Sequence, residues 1–178
     1  MAAEATQPGP DRASDPGGVS HAIGKALGRI PSGVFVLTAP AEPGARYPSA
    51  TLVSWVQQAA FSPPAVCMAV AKGRYAGEAI KRSGVFALSV VAAADTSLMK
   101  KYARGVAPDA DPFAGVETAA TAGGLPVLAA AVACLECRLL RVCDFDADHD
   151  LFVAEVTDGR LLCEGPAFSH QRGNGMHY

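Results

Sequence analysis

Residues 49–74, SATLVSWVQQAAFSPPAVCMAVAKGR, decide how the rest of the chain is read. Small hydroxyl residues alternate with apolar ones, Trp55 follows, Pro63 and Pro64 break the run, and Ala65 to Ala71 are apolar up to Lys72 and Arg74. Short apolar runs bounded by Pro and Gly read as strands, so strands are predicted over 50–58 and 65–71. A flat aromatic ligand needs an apolar slot with a few orienting polar groups. The backbone edge of 50–53 can supply donors, Thr51 and Ser54 add hydroxyls, Gln57 and Gln58 can donate and accept, and Trp55 offers a flat surface. Lys72 and Arg74 precede a helix predicted to start at Tyr75, where free N–H groups and the helix dipole favour an anion. The two halves suit one flat ring carrying a phosphate. The same residue types equally describe a half-exposed strand followed by solvated cations, and spacing alone does not choose.

Working outward, residues 1–18 combine Pro, Gly and Ala without any apolar period and read as a disordered tail, leaving 19–178 as one domain. Val19, Ile23, Ala26, Leu27 and Ile30 recur at helical spacing and predict an amphipathic helix with Ser20 at its start. A strand is predicted over 34–38, a helix over 75–82 ended by Gly84, a buried strand over 85–91, and a helix capped by Asp95 or Thr96 with Leu98, Met99 and Tyr102 inward. Residues 106–130 read as a long surface excursion. A strand over 133–145 places Leu135, Cys137, Leu139, Cys143 and Phe145 on one face. Asp158-Gly159, between apolar runs 151–157 and 160–163, predicts a two-residue hairpin turn. Six or more strands with tight turns and three helices favour an antiparallel barrel over a parallel α/β sheet.

Composition narrows the function classes. With 178 residues, 50% hydrophobic and 18% charged, the chain has enough apolar mass for one sizeable core. A formal net charge of -2 gives no general attraction for nucleic acid or an anionic membrane. No apolar run approaches the ~20 residues of a membrane span, and no secretory signal is visible, so the expected location is cytoplasmic. The five cysteines lie in apolar runs and are expected to be reduced core thiols. Cys134 and Cys137 are spaced C-x-x-C, but residues three apart on a strand face opposite ways, and no second pair completes a metal site. No metal is expected. Neither a dinucleotide GxGxxG nor a P-loop follows any strand.

Residues 49–74 resemble the signature of the flavin reductase-like, FMN-binding split-barrel family. GRIPSGVFVLTA (28–39) resembles the family's first helix and strand, EAIKRSGVFALSVV (78–91) its helix-strand unit, DPFAGVET (111–118) its DRFxG segment with Pro112 in the arginine's place, and DADHDLFVAEV (146–156) its GDH element with Ala147 for the glycine. Within the family the chain is most similar to the flavin reductase modules associated with flavodiiron proteins. The resemblance covers residues 19–178 and implies a mainly β, antiparallel split β-barrel of Greek-key type with peripheral helices, working as a homodimer.

It further implies that Thr51, Leu52, Val53 and Ser54 border the isoalloxazine and ribityl chain with Gln57 and Gln58 close by, and that Ala71, Lys72, Arg74 and Tyr75 hold the phosphate. Asp148 and His149 are nominated for the nicotinamide path, and His170 for a position beside the flavin. Taken alone, His149 in the acidic run Asp144, Asp146, Asp148 and Asp150 could equally be part of a charged hairpin tip, and His177 a bystander or dimer contact. The implied activity is hydride transfer from NADH or NADPH to FMN, with FAD open beside it, and the acceptor an oxygenase or iron protein. The other readings are an FMN-binding electron-transfer module without free-flavin turnover, and a barrel for another cofactor such as deazaflavin or haem.

Overall fold

The computed structural model describes residues 21–103, 106–107 and 109–173. The predicted tail at 1–18, Val19 and Ser20 of the first helix, and His177 lie outside them. The chain divides into two compact units, one made of residues 1–31 with 171–178 and the other of 32–170. In the first, α1 (His21–Leu27) closes with Gly28 N donating to Gly24 O at 3.0 Å, and Arg172 N donates to Gly28 O at 2.9 Å. Ile23, Leu27 and Ile30, which share the apolar spacing of the predicted amphipathic helix, are all exposed. Helical spacing marks which residues share a face but not whether anything packs on it.

The second unit is antiparallel β with helices at its periphery. Its strands are β1 (Ser32–Gly33), β2 (Phe35–Ala39), β3 (Ser49–Val53), β4 (Val56–Phe61), β5 (Pro64–Ala71), β6 (Val85–Val90), β7 (Thr118–Ala120), β8 (Pro126–Leu128), β9 (Ala133–Cys143), β10 (His149–Leu161) and β11 (Ser169–His170), with helices α2 (Tyr75–Ser83) and α3 (Thr96–Ala103). Seven strands form one sheet in the order β3-β2-β6-β9-β10-β5-β4, and β1-β11 and β7-β8 form two small sheets. β3 and β4 are the two edges of the large sheet, yet only Ser54 and Trp55 separate them in sequence. The sheet must therefore curl until its edges nearly meet, which is the geometry of a split barrel. The predicted single strand over 50–58 is thus two strands from opposite edges, an outcome that alternation cannot reveal because it continues across the junction.

Inside the curl, Leu37, Val56, Met68, Phe86, Leu88, Cys137, Phe152 and Ala154 pack with Ala76, Ala79 and Ile80 of α2. Each large side chain fully buried there contributes roughly 1.5–3 kcal/mol. α2 complements its dipole with Glu78 in the first turn and Lys81 and Arg82 in the last, and Gly84 N donates to Ile80 O at 2.8 Å at its end. On the outer face, Val34, Val36, Ala50 and Val91 pack against Leu98 and Tyr102 of α3 and against Leu128. Asp95 caps α3: its Oδ1 accepts from Ser97 N at 3.2 Å and Leu98 N at 3.3 Å. The excursion at 106–130 contains the β7-β8 hairpin, and Phe113 and Val116 pack against the α3 cluster.

Two further expectations are corrected in β9 and β10. β10 runs unbroken through Asp158-Gly159, pairing with β9 from Leu151 to Leu161, so there is no hairpin turn. A register shift leaves Thr157 as the extra residue of a bulge, and Gly159 sits opposite Leu135, whose Cδ2 would lie only 3.0 Å from a Cβ at that position. The glycine serves close cross-strand approach instead of a turn. A second shift leaves Leu140 unpaired in β9, so the core face passes from Leu139 to Val142 instead of continuing to Cys143 and Phe145. Phe145 is accordingly 58% exposed. Cys163 is also exposed, unlike the buried Cys134 and Cys137.

Candidate flavin site

The seam where β3 passes into β4 gathers most of the residues singled out above. Thr51 and Leu52 are half-buried on β3, and Val53 and Ser54 are buried. As an edge strand, β3 keeps one side of its backbone N–H and C=O groups out of the ladder, available to a ligand. Gln57 and Gln58 lie exposed on the opposite edge strand, paired with Cys67 and Val66 of β5. The Trp55 carbonyl accepts from Ala69 N at 3.0 Å, tying the seam to β5.

The Ala71–Arg74 segment is a tight turn. Arg74 N donates to Ala71 O at 3.3 Å and Gly73, the third residue, has φ 76, a conformation that glycine adopts without steric cost. Arg74 is the N-cap of α2 and makes no side-chain capping bond, so the first N–H groups of the helix lack that partner. Tyr75 opens α2 and, with Ser49, Ala50, Ala107, Ala110 and Pro112, lines a shallow cleft. The excursion therefore reaches the start of β3 and the start of α2.

The β9-β10 connection joins this turn. Lys72 N donates to Asp148 O at 2.9 Å, and His149 opens β10 opposite Ala71. The His149 ring lies 4.8 Å from the Trp55 ring, tilted by 43°, and the residue is buried. His149 Nδ1 is 2.9 Å from Asp148 Oδ1, but the ring geometry does not make a hydrogen bond and leaves Nδ1 a buried polar atom without one. The imidazole beside it holds the exposed Asp148 carboxyl below the usual carboxylate range. Tertiary pairing thus brings Ser54, Trp55, Ala71, Lys72, Asp148 and His149 to one end of the sheet. His170 is placed differently: it pairs with Ser32 in the small β1-β11 sheet, with Phe168 as its ring neighbour at 6.4 Å.

One participant escaped sequence reasoning. Lys72 Nζ donates to Asp144 Oδ1 at 2.7 Å and lies 3.9 Å from Asp150, while Lys81 pairs with Asp150 at 2.8 Å and Glu78 at 3.0 Å. The Lys72 hydrogen bond lowers the Asp144 carboxyl, and Asp150 first, then Glu78, raises the Lys81 ammonium. The signal was present in the acidic alternation of 144–150, but its partner is identified only by the β5-β10 register. Cys134 and Cys137 occupy opposite faces, Cys137 in the inner core and Cys134 against Ala87 and Val127. Burial pushes the Cys137 thiol up to about 12. Among the described residues no helix is long and apolar enough to cross a membrane.

The curled sheet, the free edge of β3 and the cation-bearing turn before α2 define a flavin reductase-like domain. The description "Flavin reductase like domain" matches residues 27–174, and the chain belongs to that family. It is 36% identical over 156 residues to diflavin flavoprotein A 1 of Synechocystis sp., covering 86% of this chain and 26% of that protein. The chain thus spans about a quarter of that relative's length. Among solved structures, the NADH:FAD oxidoreductase SgcE6 of Streptomyces globisporus superposes with a TM-score of 0.76 at 26% identity, covering 84% of this chain and 86% of that one. The styrene monooxygenase flavin reductase of Pseudomonas putida S12 shares the fold, with a TM-score of 0.70 at 24% identity over 83% of this chain and 90% of that one.

Proposed function

We propose that the domain is an NAD(P)H-dependent flavin reductase that binds FMN along β3 and the Ala71–Arg74 turn. One observation carries the reading. A strand edge with free backbone donors, a buried imidazole stacked on Trp55 and a turn bearing Lys72 and Arg74 at a helix start converge on the seam of one curled sheet. These features fit the group: Thr51 to Ser54 for the ring edge and ribityl chain, Gln57 and Gln58 close by, and Ala71, Lys72, Arg74 and Tyr75 for the phosphate. A bound flavin supplies a ring that accepts a hydride from a nicotinamide. The chain's own work is positional and electrostatic. β3 fixes the ring plane and offers N–H dipoles to its carbonyl edge, and Arg74 with the α2 start draws the phosphate. His149, braced by Trp55, borders the approach of the nicotinamide.

His170 is retained as a flavin-proximal residue from the family resemblance. A homodimer belongs to the same proposal, supported by the exposed β4 edge, where Phe61 is 87% exposed. A cytoplasmic location and an oxygenase or iron-protein acceptor also belong to it. FAD is the competing flavin, because SgcE6 is named for FAD. A second reading, an FMN-bearing electron carrier, is favoured by the match to a quarter of a diflavin flavoprotein.

The test is an absorbance titration with FMN and FAD followed by anaerobic NADH or NADPH. Bleaching of flavin with turnover that rises with free FMN is expected, activity only with a protein acceptor supports the carrier, and no flavin binding defeats both. Lys72→Ala combined with Arg74→Ala must weaken FMN binding; unchanged affinity removes the phosphate assignment. His149→Ala is expected to lower hydride transfer by about tenfold to a hundredfold through lost positioning, with FMN affinity nearly unchanged.

A further inference from the structure

We infer that Asp144 is an intramolecular competitor for the flavin phosphate: its carboxylate occupies Lys72, and a phosphate-bearing flavin must displace it to use that cation. The inference rests on the flavin reading above and deepens it at the phosphate end.

The charges around the turn do not favour an anion as the sequence suggested. Lys72 and Lys81 meet the carboxylates of Asp144, Asp150 and Glu78. Two ammonium groups thus face three carboxylates, and with Asp148, whose backbone accepts from Lys72 N, even Arg74, which has no ion pair among the described residues, leaves the local sum negative. A dianionic phosphate gains little from such a patch unless one carboxylate leaves.

The carboxylates differ in how readily they can leave. The Asp150 side chain is 7% exposed and bonded to Lys81, so moving it would strand a buried charge. Glu78 pairs with Lys81 on the helix surface. The Asp144 side chain is 60% exposed, and its contact with Lys72 is a surface ion pair with little net stability to lose. What holds it is local: Asp146 N donates to the same Oδ1 at 2.9 Å, aiming that oxygen at Lys72. Asp144 therefore already occupies the Lys72 ammonium and is the member free to yield. Lys72 would then be shared between phosphate and the nearby Asp150, while Arg74 engages the phosphate directly. Binding would be weaker than an unopposed pair of cations would give, which suits a flavin that exchanges.

The experiment compares riboflavin, which lacks the phosphate, with FMN by fluorescence titration of the full chain. Asp144→Asn is expected to raise FMN affinity by about threefold to tenfold, the scale of one ion pair made available to a phosphate, with riboflavin affinity unchanged. Lys72→Ala must cost more FMN affinity in the Asp144→Asn background than in the wild type. Asp144→Ala must reproduce the change in the FMN-to-riboflavin ratio should the amide misfold the turn. An unchanged ratio, an equal gain for both flavins, or a purely additive Lys72 effect overturns the inference while leaving the flavin site standing. Failure of the wild type to bind either flavin overturns the flavin reading itself.

Discussion

The Ala71–Arg74 turn and the shelf formed by α3 with residues 106–130 both reach β3, but opposite forces hold them. In the shelf, Tyr102 is fully buried, its hydroxyl donates to Pro112 O at 3.0 Å, and Leu98, Phe113 and Val116 pack around it. At the turn, exposed charges are laid out in pairs with only Asp150 withdrawn from water. Packed side chains have one good arrangement, whereas surface ion pairs can be exchanged for a ligand at little cost. Substitutions in the shelf therefore test the fold, and substitutions at the turn test the ligand.

The contrast is broken most severely at Tyr102. Tyr102→Ala removes a fully buried ring and is expected to cost about 3–5 kcal/mol, seen as a lower denaturant midpoint. An equal loss from any single substitution among Lys72, Arg74 and Asp144 would erase the distinction. High pH should act on the shelf next. Burial, with Asp111 adding to it, raises the Tyr102 hydroxyl from 10.0 to about 12. The folded value lies above the unfolded one, so this contribution is complete below pH 10 and is lost as pH rises to about 12. The full loss is on the order of 3 kcal/mol. Tyr102→Phe should remove that part of the alkaline destabilisation, leaving the part that begins at about pH 9 from Cys137.

Smaller effects sharpen the turn's side of the comparison. Gly73→Ala places a side chain at φ 76 with open space around it, so it should cost about 1–2 kcal/mol of local strain and weaken FMN more than riboflavin. A larger loss of global stability than of FMN affinity would count against the turn as a ligand element. Arg138→Ala, which breaks the exposed pair with Glu155, should change the thermal midpoint by the equivalent of at most about 1 kcal/mol and leave flavin binding alone.

Local signals were legible where local physics decides. The apolar runs of β2, β5 and β6, the Gly84 helix end and the Asp95 cap follow from period and capping chemistry. Asp158-Gly159 failed because that dipeptide permits a hairpin turn without requiring one, and the long ladder to β9 was worth more than the turn. Cys143 and Phe145 were placed on the same face as Leu135, Cys137 and Leu139 because a bulge at Leu140 leaves no mark in a period-two pattern. For the site, Lys72, Arg74, His149 and β3 were visible as residue types, whereas the Trp55–His149 contact and the Lys72–Asp144 pair depend on strand register.

By itself the sequence determined the strand-rich class, the family, and the division of residues 49–74 into apolar strand segments and a cation-bearing turn. Those are properties of neighbours along the chain, set by side-chain period, turn chemistry and motif. Only the tertiary structure decided that β3 and β4 are opposite edges of one curled sheet and that His149 stands against Trp55. It also decided that Lys72 is already held by a carboxylate seventy-two residues away. The reason is physical: pairing across a sheet is chosen by the burial of whole faces and by bulges that shift register, and no stretch of sequence carries its partner's register within itself.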